Sequence, residues 1–492
     1  MNRKLLSLLL AVLLACSAVT VSFTGCSEKA ADGSSEKTDA GTATPSAEAG
    51  AAAEEEEDAF ITDDLPEKNF DGDSFDIITT TWYEAKNYIF AEEMNGEVVN
   101  DALFNQRSKV SERFNVEVTC TANDMNDVVA ANVHSLVLAG DDTYDIVYNH
   151  DNMTMNNGLK GDFCDLRSFE VLNFSKPWWQ GASQVFTIQG KLFATANPMA
   201  MSGIYMNCTV SFNKDLMRNL GMDFPYEKVR NGDWYIDDMI VMAEGGMQDL
   251  DGNGKLDTND QWGFLTASYG WLQFQSDLGA GCMEKDADGN VAFTANTEKL
   301  VAVMEKFDAL DAFTQAVTGT DYNVKMFSEG RGLFMFSENR NLYESMRDSN
   351  VSYGVLPAPK FDETQEEYAS AGYDIYWGVL LSSAAHEELI SYCLEAISCE
   401  NYNNVIPAVW ETVLGSKLAD APEDTEMFYI IRDVQYVDLG YALSQSVAGL
   451  NNLVFLKSNT TAGETASYIK KSMKSLTKGT EKLNKTYSEL EG

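Results

Sequence analysis

The residues with the clearest chemical spacing are oxygen donors in residues 249–260, which read Asp-Leu-Asp-Gly-Asn-Gly-Lys-Leu-Asp-Thr-Asn-Asp. Numbered as a twelve-residue calcium loop, positions 1, 3, 5, 9 and 12 carry side-chain oxygens, and position 7 offers a backbone carbonyl. Glycine at position 6 permits the sharp turn that such a loop needs. The sequence therefore predicts Ca²⁺ as a cofactor, held by Asp249, Asp251, Asn253, Lys255, Asp257 and Asp260.

The last position of this loop departs from the usual pattern, because Asp260 stands where a bidentate glutamate is common. The loop resembles dockerin-type calcium loops, in which a shorter carboxylate closes the site. A solvated acidic loop without metal is the alternative. Because Trp262-Gly-Phe264 follows directly and no flanking helices are evident, we expect a structural ion rather than a calcium sensor.

Aromatic and hydrogen-bonding side chains form a second group with chemical potential. An aromatic ring packs against the C–H face of a sugar, while polar side chains bond to the sugar hydroxyls. This combination predicts a carbohydrate ligand, with a peptide as the alternative. The candidate platforms are Trp82, Tyr83, Trp271 and Trp377, and the candidate hydrogen-bonding residues are Asn149, Asp151, Asn339 and Arg340. For each tryptophan, packing in a core is the competing interpretation.

Alternating strand and helix patterns position the first of these residues. The periodicity predicts strands over 75–81, 116–120 and 145–148, separated by helices over 99–114 and 124–139. Strands that alternate with helices predict a parallel sheet, and ligands bind beyond the carboxyl ends of such strands. Trp82 and Asp151 both lie just beyond a predicted strand end.

Residues 191–215 predict a change of domain. They hold two short apolar runs, which are split by Asn197-Pro198 and Ser202-Gly203. With Gly-Lys-Leu at one end and Phe-Asn-Lys-Asp-Leu at the other, the stretch resembles the first crossover of bacterial extracellular solute-binding proteins of the maltose-binding type. The resemblance implies a two-lobed α/β fold of the periplasmic-binding-protein type (type II). Each lobe would have a mostly parallel sheet flanked by helices, with a ligand cleft between the lobes.

A second resemblance to the same family sets the lobe boundaries. Residues 353–360, Tyr-Gly-Val-Leu-Pro-Ala-Pro-Lys, resemble the return crossover, and residues 372–380 resemble the strand that re-enters the first lobe. A chain of 492 residues with 45% hydrophobic content is long enough for two such lobes. The implied boundaries are 70–199 plus 355–400 for the first lobe and 200–354 plus 401–492 for the second, with the calcium loop away from the ligand.

The N-terminus has the pattern of an export signal. Asn2-Arg3-Lys4 is basic and residues 5–15 are apolar, while Phe23-Thr-Gly-Cys26 resembles a bacterial lipobox with Phe where Leu is usual. The resemblance implies that residues 1–25 are a signal peptide and that Cys26 is lipidated. An ordinary signal peptide is the alternative. Residues 26–69 are predicted to be the lipidated cysteine and a disordered acidic linker, because the first part of the linker is almost free of apolar residues.

Charge and composition exclude several functions. Asp and Glu outnumber Lys and Arg by 76 to 35, and the net charge of −41 would repel a phosphate backbone, so no nucleic-acid partner is expected. The three histidines are widely spaced, which leaves little material for a zinc site or a His-dependent triad. The cysteines beyond Cys26 form no close pair and are predicted to be reduced and buried, with disulfides as the alternative.

The family resemblance implies a function. The chain would be a monomeric, lipid-anchored protein on the extracellular face of the cell membrane. It would capture a sugar, expected to be an oligosaccharide, and deliver it to the permease subunits of an ABC importer without acting as an enzyme. Two alternatives stay open: a surface adhesin, and a secreted glycoside hydrolase whose paired carboxylates would come from Glu84, Asp151 and Glu338.

Overall fold

The computed structural model describes residues 60–196, 200–314, 320–346, 349–372, 375–419 and 421–490. The predicted signal peptide, Cys26 and most of the predicted linker lie outside the described residues. No helix within the described ranges combines the length and the apolar character that are needed to cross a bilayer.

The first part of the chain alternates strands and helices, as predicted. The elements are β1 (Ser74–Thr79), α1 (Val98–Phe114), β2 (Glu117–Ala122), α2 (Asn126–Ala139), β3 (Ile146–His150), α3 (Asp151–Leu159), α4 (Ala182–Phe186) and β4 (Thr195–Ala196). A 3-10 segment, Trp82–Tyr88, follows β1. The apolar positions of α1 at Val99, Leu103, Val110 and Phe114 are all buried, which explains why this segment is helical.

The middle of the chain begins with a short connector helix. The elements are α5 (Ser202–Tyr205), β5 (Cys208–Asn213), α6 (Lys214–Leu220), α7 (Tyr226–Asn231), α8 (Ile236–Gly245), β6 (Trp262–Thr266), α9 (Ser268–Asp277), β7 (Met283–Lys285), β8 (Val291–Phe293), α10 (Thr297–Asp311), α11 (Thr320–Ser328), β9 (Gly332–Glu338), α12 (Asn339–Asn341), β10 (Tyr353–Leu356) and β11 (Ser370–Gly372). A π-helical turn, Leu342–Met346, follows α12.

The last part of the chain is mainly helical. The elements are β12 (Ile375–Val379), α13 (Glu387–Glu400), α14 (Pro422–Asp433), β13 (Gln435–Val437), α15 (Leu439–Ala442), α16 (Leu450–Val454), α17 (Leu456–Asn459) and α18 (Ala462–Glu489). Two π-helical segments, Asn401–Val405 and Ala408–Lys417, continue from α13.

Two main sheets define two lobes. The sheet of the first lobe has the order β2-β1-β3-β12-β4, in which β1 is parallel to β2 and β3, and β12 is antiparallel to β3 and β4. The sheet of the second lobe has the order β10-β5-β9-β6 and is mixed, because β6 is parallel to β9 while β5 is antiparallel to β9 and β10. Tyr148 and Trp377 face each other across the β3–β12 pair, in the middle of the first sheet.

The sheets correct two of the predicted lobe boundaries. Strand β10 pairs with β5, so residues 353–356 belong to the second lobe and the return to the first lobe comes only at β12. The π-helical segments after α13 stay on the first lobe, where Gln106 of α1 donates to the side-chain oxygen of Asn401 at 3.2 Å. The second lobe resumes at α14, whose Asp424 pairs with Lys214 of α6 at 2.6 Å.

A short N-terminal strap, residues 60–65, is fastened to the first lobe. The backbone N–H of Ile61 donates to the Asn403 side chain at 2.9 Å, and that side chain donates back to the Ile61 carbonyl at 2.9 Å. Arg113 holds Asp63 through two contacts of 2.6 and 3.0 Å. Lys176 donates to the carbonyl of Thr62 at 2.5 Å. Residues 60–65, which were predicted to belong to the linker, are therefore bound to the first lobe.

Candidate functional site

A cavity of about 380 Å³ lies between the two lobes. The first lobe contributes residues after β1 and at the start of α1, and the second lobe contributes the turn after β9. The connector around α5 supplies the remaining wall. The lining residues are Tyr83, Glu84, Asn87, Tyr88, Phe90, Asn95, Glu97, Val99, Asn100, Met201, Tyr205, Tyr343 and Glu344.

The first-lobe wall is shaped by an unusual backbone. Tyr83 and Glu84 have φ values of 47° and 53°, a left-handed conformation that residues other than glycine seldom adopt. The turn leaves Tyr83 36% exposed and stacks its ring against Trp82, with 4.3 Å between ring centroids. Trp82 packs in turn against His150 at the end of β3, at 4.6 Å. Trp82 therefore supports the Tyr83 wall from behind.

The remaining aromatic walls are three tyrosines in a row. Tyr205 comes from the connector helix α5, and its ring lies 5.8 Å from Tyr88 of the first lobe and 5.5 Å from Tyr343 of the second. Phenol rings offer an apolar face and a hydroxyl group at the same time. The cavity can therefore pack the flat face of a ligand and also exchange hydrogen bonds with it.

The charged groups of the cavity are acidic. Glu84, Glu97 and Glu344 line it, and no lysine, arginine or histidine is among the described lining residues. Burial raises the pKa of Glu344, an effect that the positive charge of Arg340 opposes and the negative charge of Glu84 increases. Carboxylates accept hydrogen bonds from hydroxyl groups but repel anions. The cavity therefore favours an uncharged or cationic ligand over an anionic one.

Arg340 stands at the edge of the cavity with its bonding groups occupied. Its guanidinium lies 3.0 Å from Glu338 and 3.2 Å from Glu344, both in the second lobe. The same guanidinium covers the Tyr83 ring of the first lobe at 4.0 Å. Only 12% of the side chain is exposed. Arg340 thus joins the two lobes, although it was predicted as a ligand contact.

Asp151 lies at the carboxyl end of β3, as predicted, but without exposed surface. Its Oδ1 accepts from the backbone N–H of Asn152 at 2.5 Å and lies 2.7 Å from Nδ1 of His150. Burial is the largest single influence on His150 and lowers its pKa, but the charge of Asp151 together with hydrogen bonds to Asp151 and Asn152 gives a net rise in the pKa. The other oxygen, Oδ2, has no hydrogen-bond partner among the described residues.

Two predicted ligand-binding residues have structural roles instead. Asn149 is buried and donates to the carbonyl of Asn126 at 2.8 Å, which ties β3 to the start of α2. Asn339 is fully buried and donates to the carbonyl of Ile204 at 3.0 Å, so it fixes the connector against β9. We correct both assignments, because the amide groups of these residues already bond to the protein.

Two predicted aromatic platforms also lie in cores. Trp377 has no exposed surface and packs against Trp179, with 6.1 Å between ring centroids. Trp271 is 8% exposed and lies 5.5 Å from Phe264 and 4.8 Å from Phe307, inside the second lobe. The prediction that these two rings contact ligand is wrong, and the competing interpretation of core packing holds for both.

Most of the residues that line the cavity were not predicted from the sequence. Tyr88, Tyr205 and Tyr343 were not singled out, and neither was Glu344. The available signal was position, since Tyr343 and Glu344 lie a few residues after the predicted contacts Asn339 and Arg340, and Tyr205 lies in the predicted crossover at 191–215. Tyrosines are common in this chain, so position without structure did not distinguish these three.

The predicted calcium loop brings three carboxylates together. Ligand oxygens of Asp249, Asp251 and Asp260 all lie within 4.8 Å of one another, and Asp260 is fully buried. Backbone N–H groups hold them in place: those of Gly252 and Gly254 donate to Asp249, both at 2.7 Å. Clustered hard oxygens of this kind fit Ca²⁺. Asp257 is outside this cluster, and its Oδ1 accepts from the backbone N–H of Asn259 at 2.8 Å.

Comparisons with known proteins identify the fold. No protein-family model matches the chain, and no curated protein matches it. Solved structures match over most of its length. A cyclic α-maltosyl-1,6-maltose binding protein of Arthrobacter globiformis is 12% identical, with a TM-score of 0.56, over 84% of this chain and 100% of that one.

Two further solved structures give the same result. The maltose/maltodextrin-binding domain of Bdellovibrio bacteriovorus, bound to maltotriose, is 14% identical with a TM-score of 0.52, over 83% of this chain and 99% of that one. An ABC substrate-binding protein of Listeria monocytogenes, in complex with cycloalternan, is 14% identical with a TM-score of 0.50, over 85% of this chain and 100% of that one. The chain has the two-lobed α/β fold of these solute-binding proteins, which confirms the predicted fold class. The sheets differ from the prediction of mostly parallel strands, because both contain antiparallel pairs and the described sheet of the second lobe has one parallel pair, β6 with β9.

Proposed function

We propose that this chain captures a carbohydrate, in particular an oligosaccharide, and delivers it to the permease subunits of an ABC importer. The observation that carries the proposal is the tyrosine-lined cavity between the lobes. Its rings suit the C–H faces of sugars, and its carboxylates and amides suit sugar hydroxyls. The sugar ligands named for structures of the same fold, maltotriose and cycloalternan, agree with this assignment.

The proposed mechanism is capture by closure, without chemistry on the ligand. A ligand that touches Tyr83 of the first lobe and Tyr343 of the second gains contacts only when the lobes are together, so it favours the closed form. The gain in contacts is the whole driving force. No bond of the ligand needs to break.

The glycoside hydrolase alternative has less support. Such an enzyme needs two carboxylates about 5 to 10 Å apart across a sugar. Of the three candidates, Asp151 and Glu338 are both buried, and Glu338 is engaged by Arg340. Glu84 does line the cavity, so recovery of the bound sugar is part of the test. The adhesin alternative predicts no small ligand.

Calorimetry on residues 27–492 against panels of neutral oligosaccharides and peptides tests the proposal. We expect one saccharide to bind and to be recovered intact. Tyr83→Ala and Tyr343→Ala should each weaken binding about thirtyfold, the cost of losing one aromatic anchor. The matched control is Tyr402→Ala, an exposed tyrosine that packs on Trp178 outside the cavity. Binding of a peptide alone, cleavage of the sugar, or equal affinity in all variants would overturn the assignment.

We also propose that Cys26 anchors the protein to the extracellular face of the cell membrane as a monomer. The support is the basic, apolar and Thr-Gly-Cys series of the N-terminus. Cys26→Ala should release the protein from the membrane fraction, and the released protein should sediment as a single chain. Full retention of the variant, with no lipid mass on the mature N-terminus, would contradict the anchor.

We further propose a structural Ca²⁺ in the 249–260 loop, held by the three clustered aspartates with Asn253, Asp257 and the Lys255 carbonyl as further ligands. At a hundred times its dissociation constant the ion would add about 2.7 kcal/mol to the free energy of unfolding. Chelation should therefore lower the melting temperature, and Asp260→Asn should remove that response. The control is Asp288→Asn, which changes an aspartate in the acidic turn between β7 and β8. An unchanged melting temperature in wild type would mean that the loop binds no ion.

A further inference from the structure

One line of side chains crosses from the second lobe to the first. It starts at Glu338, the last residue of β9, which is fully buried and holds Arg340 through contacts of 3.0 and 3.3 Å. It continues through the guanidinium of Arg340 to the Tyr83 ring, 4.0 Å away. It ends where Tyr83 stacks on Trp82, and Trp82 on His150, at the end of β3. The line joins the ends of two central strands, one from each sheet.

We propose that Arg340 is a positioning residue of the cavity, which holds the Tyr83–Glu84 turn in the shape that forms the first-lobe wall. The need for such a residue follows from the backbone. Two consecutive residues other than glycine adopt a left-handed conformation there, and such conformations persist only when their surroundings hold them. Among the described residues, the guanidinium of Arg340 contacts this turn from the second lobe.

The geometry of Arg340 favours positioning over direct ligand contact. Its Nε and one terminal nitrogen point to Glu338, and its other terminal nitrogen points to Glu344. One face of the guanidinium is covered by the Tyr83 ring, and the side chain does not line the cavity. A guanidinium held in this way keeps a fixed plane, which in turn fixes the plane of the ring beneath it.

The inference goes beyond ligand capture, because it concerns the chain without ligand. Arg340 and Tyr83 belong to different lobes, so their stack forms only when the lobes are close. Closure would then order the Tyr83–Glu84 turn, and the ordered turn would complete the cavity. The closing of the lobes and the ordering of the Tyr83–Glu84 turn would thus occur together.

Hydrogen exchange of the 82–88 amides in ligand-free protein tests this role. Arg340→Gln and Tyr83→Leu should each speed exchange of these amides about tenfold, the factor expected for losing a largely desolvated cation–π contact. The double variant should be no faster than Tyr83→Leu alone, because Tyr83→Leu already removes the ring on which the Arg340 guanidinium packs. Tyr83→Phe keeps the ring and should exchange as slowly as wild type.

A matched control separates positioning from general stability. Arg218→Gln removes a guanidinium that pairs with Asp215 and covers the Phe224 ring at 5.3 Å, all within the second lobe. It should leave the 82–88 amides unchanged. Arg340→Lys is the substitute if Arg340→Gln does not fold, because it keeps the positive charge but not the planar guanidinium. Its amides at 82–88 should exchange at a rate between that of wild type and that expected for Arg340→Gln. The proposal would be overturned if exchange is unchanged in the Arg340 variants, or if the effects add in the double variant. It would also be overturned if Arg218→Gln accelerates exchange as much as Arg340→Gln does.

Discussion

Replacing Glu395 should destabilise the first lobe more than replacing any exposed carboxylate. Glu395 lies in α13 with no exposed surface, and its two oxygens accept hydrogen bonds from three groups. The indole N–H groups of Trp178 and Trp179 donate at 3.1 and 2.8 Å, and the backbone N–H of Asn173 donates at 3.1 Å. Trp179 packs in turn on Trp377, so this carboxylate orders the core beneath the central strand β12.

The size of the effect follows from the donors that lose their acceptor. Each buried N–H left unbonded costs about 1–3 kcal/mol, and partial relaxation will recover some of this cost. Glu395→Ala should therefore lower the free energy of unfolding by about 4 kcal/mol. Glu395→Gln keeps one acceptor oxygen and should lose about 2 kcal/mol. The control is Glu388→Ala in the same helix, which removes a surface pair with Lys68 and should cost less than about 1 kcal/mol.

Urea unfolding followed by tryptophan fluorescence measures these differences, and its pH dependence adds a second check. Burial raises the pKa of Glu395 above its usual range, although the two indole donors oppose the shift. A group whose pKa is higher in the folded state binds more protons there, so wild type gains stability as the pH falls toward the ordinary glutamate range. Glu395→Gln lacks this gain, and its deficit should widen on acidification. A loss below about 1.5 kcal/mol in Glu395→Ala would refute the reasoning.

The remaining predictions concern charge, pH and thiols. Neutral or amino-substituted oligosaccharides should bind at least tenfold more tightly in calorimetry than uronic-acid oligosaccharides of equal length, because carboxylates line the cavity and repel anions; equal affinity would contradict this. Burial raises the pKa of Asp277 and Asp438, so the folded state binds more protons than the unfolded state as the pH falls. The free energy of unfolding should therefore be larger at pH 5.5 than at pH 7.5, and urea titrations at the two pH values check this. Burial also raises the pKa of Cys120 and Cys399 to about 12 and of Cys164 to about 11. A thiol reagent should therefore label almost none of the six buried cysteines in native protein and all six in urea; fast native labelling would contradict the burial.

Periodicity along the chain was sufficient to predict the first three strands and the two helices between them. The buried stripe of α1 and the apolar runs of β1 and β3 are local patterns, and each forms the predicted element within a few residues. Spacing also predicted the cluster of Asp249, Asp251 and Asp260, while the Ca²⁺ ion itself stays a prediction. The six cysteines in the described part of the chain are buried, as predicted.

The ligand cavity was harder to predict, because it is formed by residues far apart in sequence. Trp271 and Trp377 were predicted as platforms from their aromatic rings, yet both rings fill cores. Tyr205 and Tyr343 carry no pattern of their own and meet only because the connector and the β9 turn converge. Pairing also decided the lobe boundary, since β10 adds to the second sheet before the chain crosses back. These outcomes depend on how sheets and lobes pack, which a single sequence does not encode locally.

The strap at residues 60–65 ties the start of the described chain to one half of the molecule. It is held by Arg113, Lys176 and Asn403, which all belong to the first lobe. A force applied at residue 60 therefore acts first on the first lobe, and it reaches the second through the connectors and through contacts such as that of Arg340 with Tyr83. For a protein held by its N-terminus, this attachment would turn a symmetrical closing motion into a movement of the second lobe against a fixed first lobe.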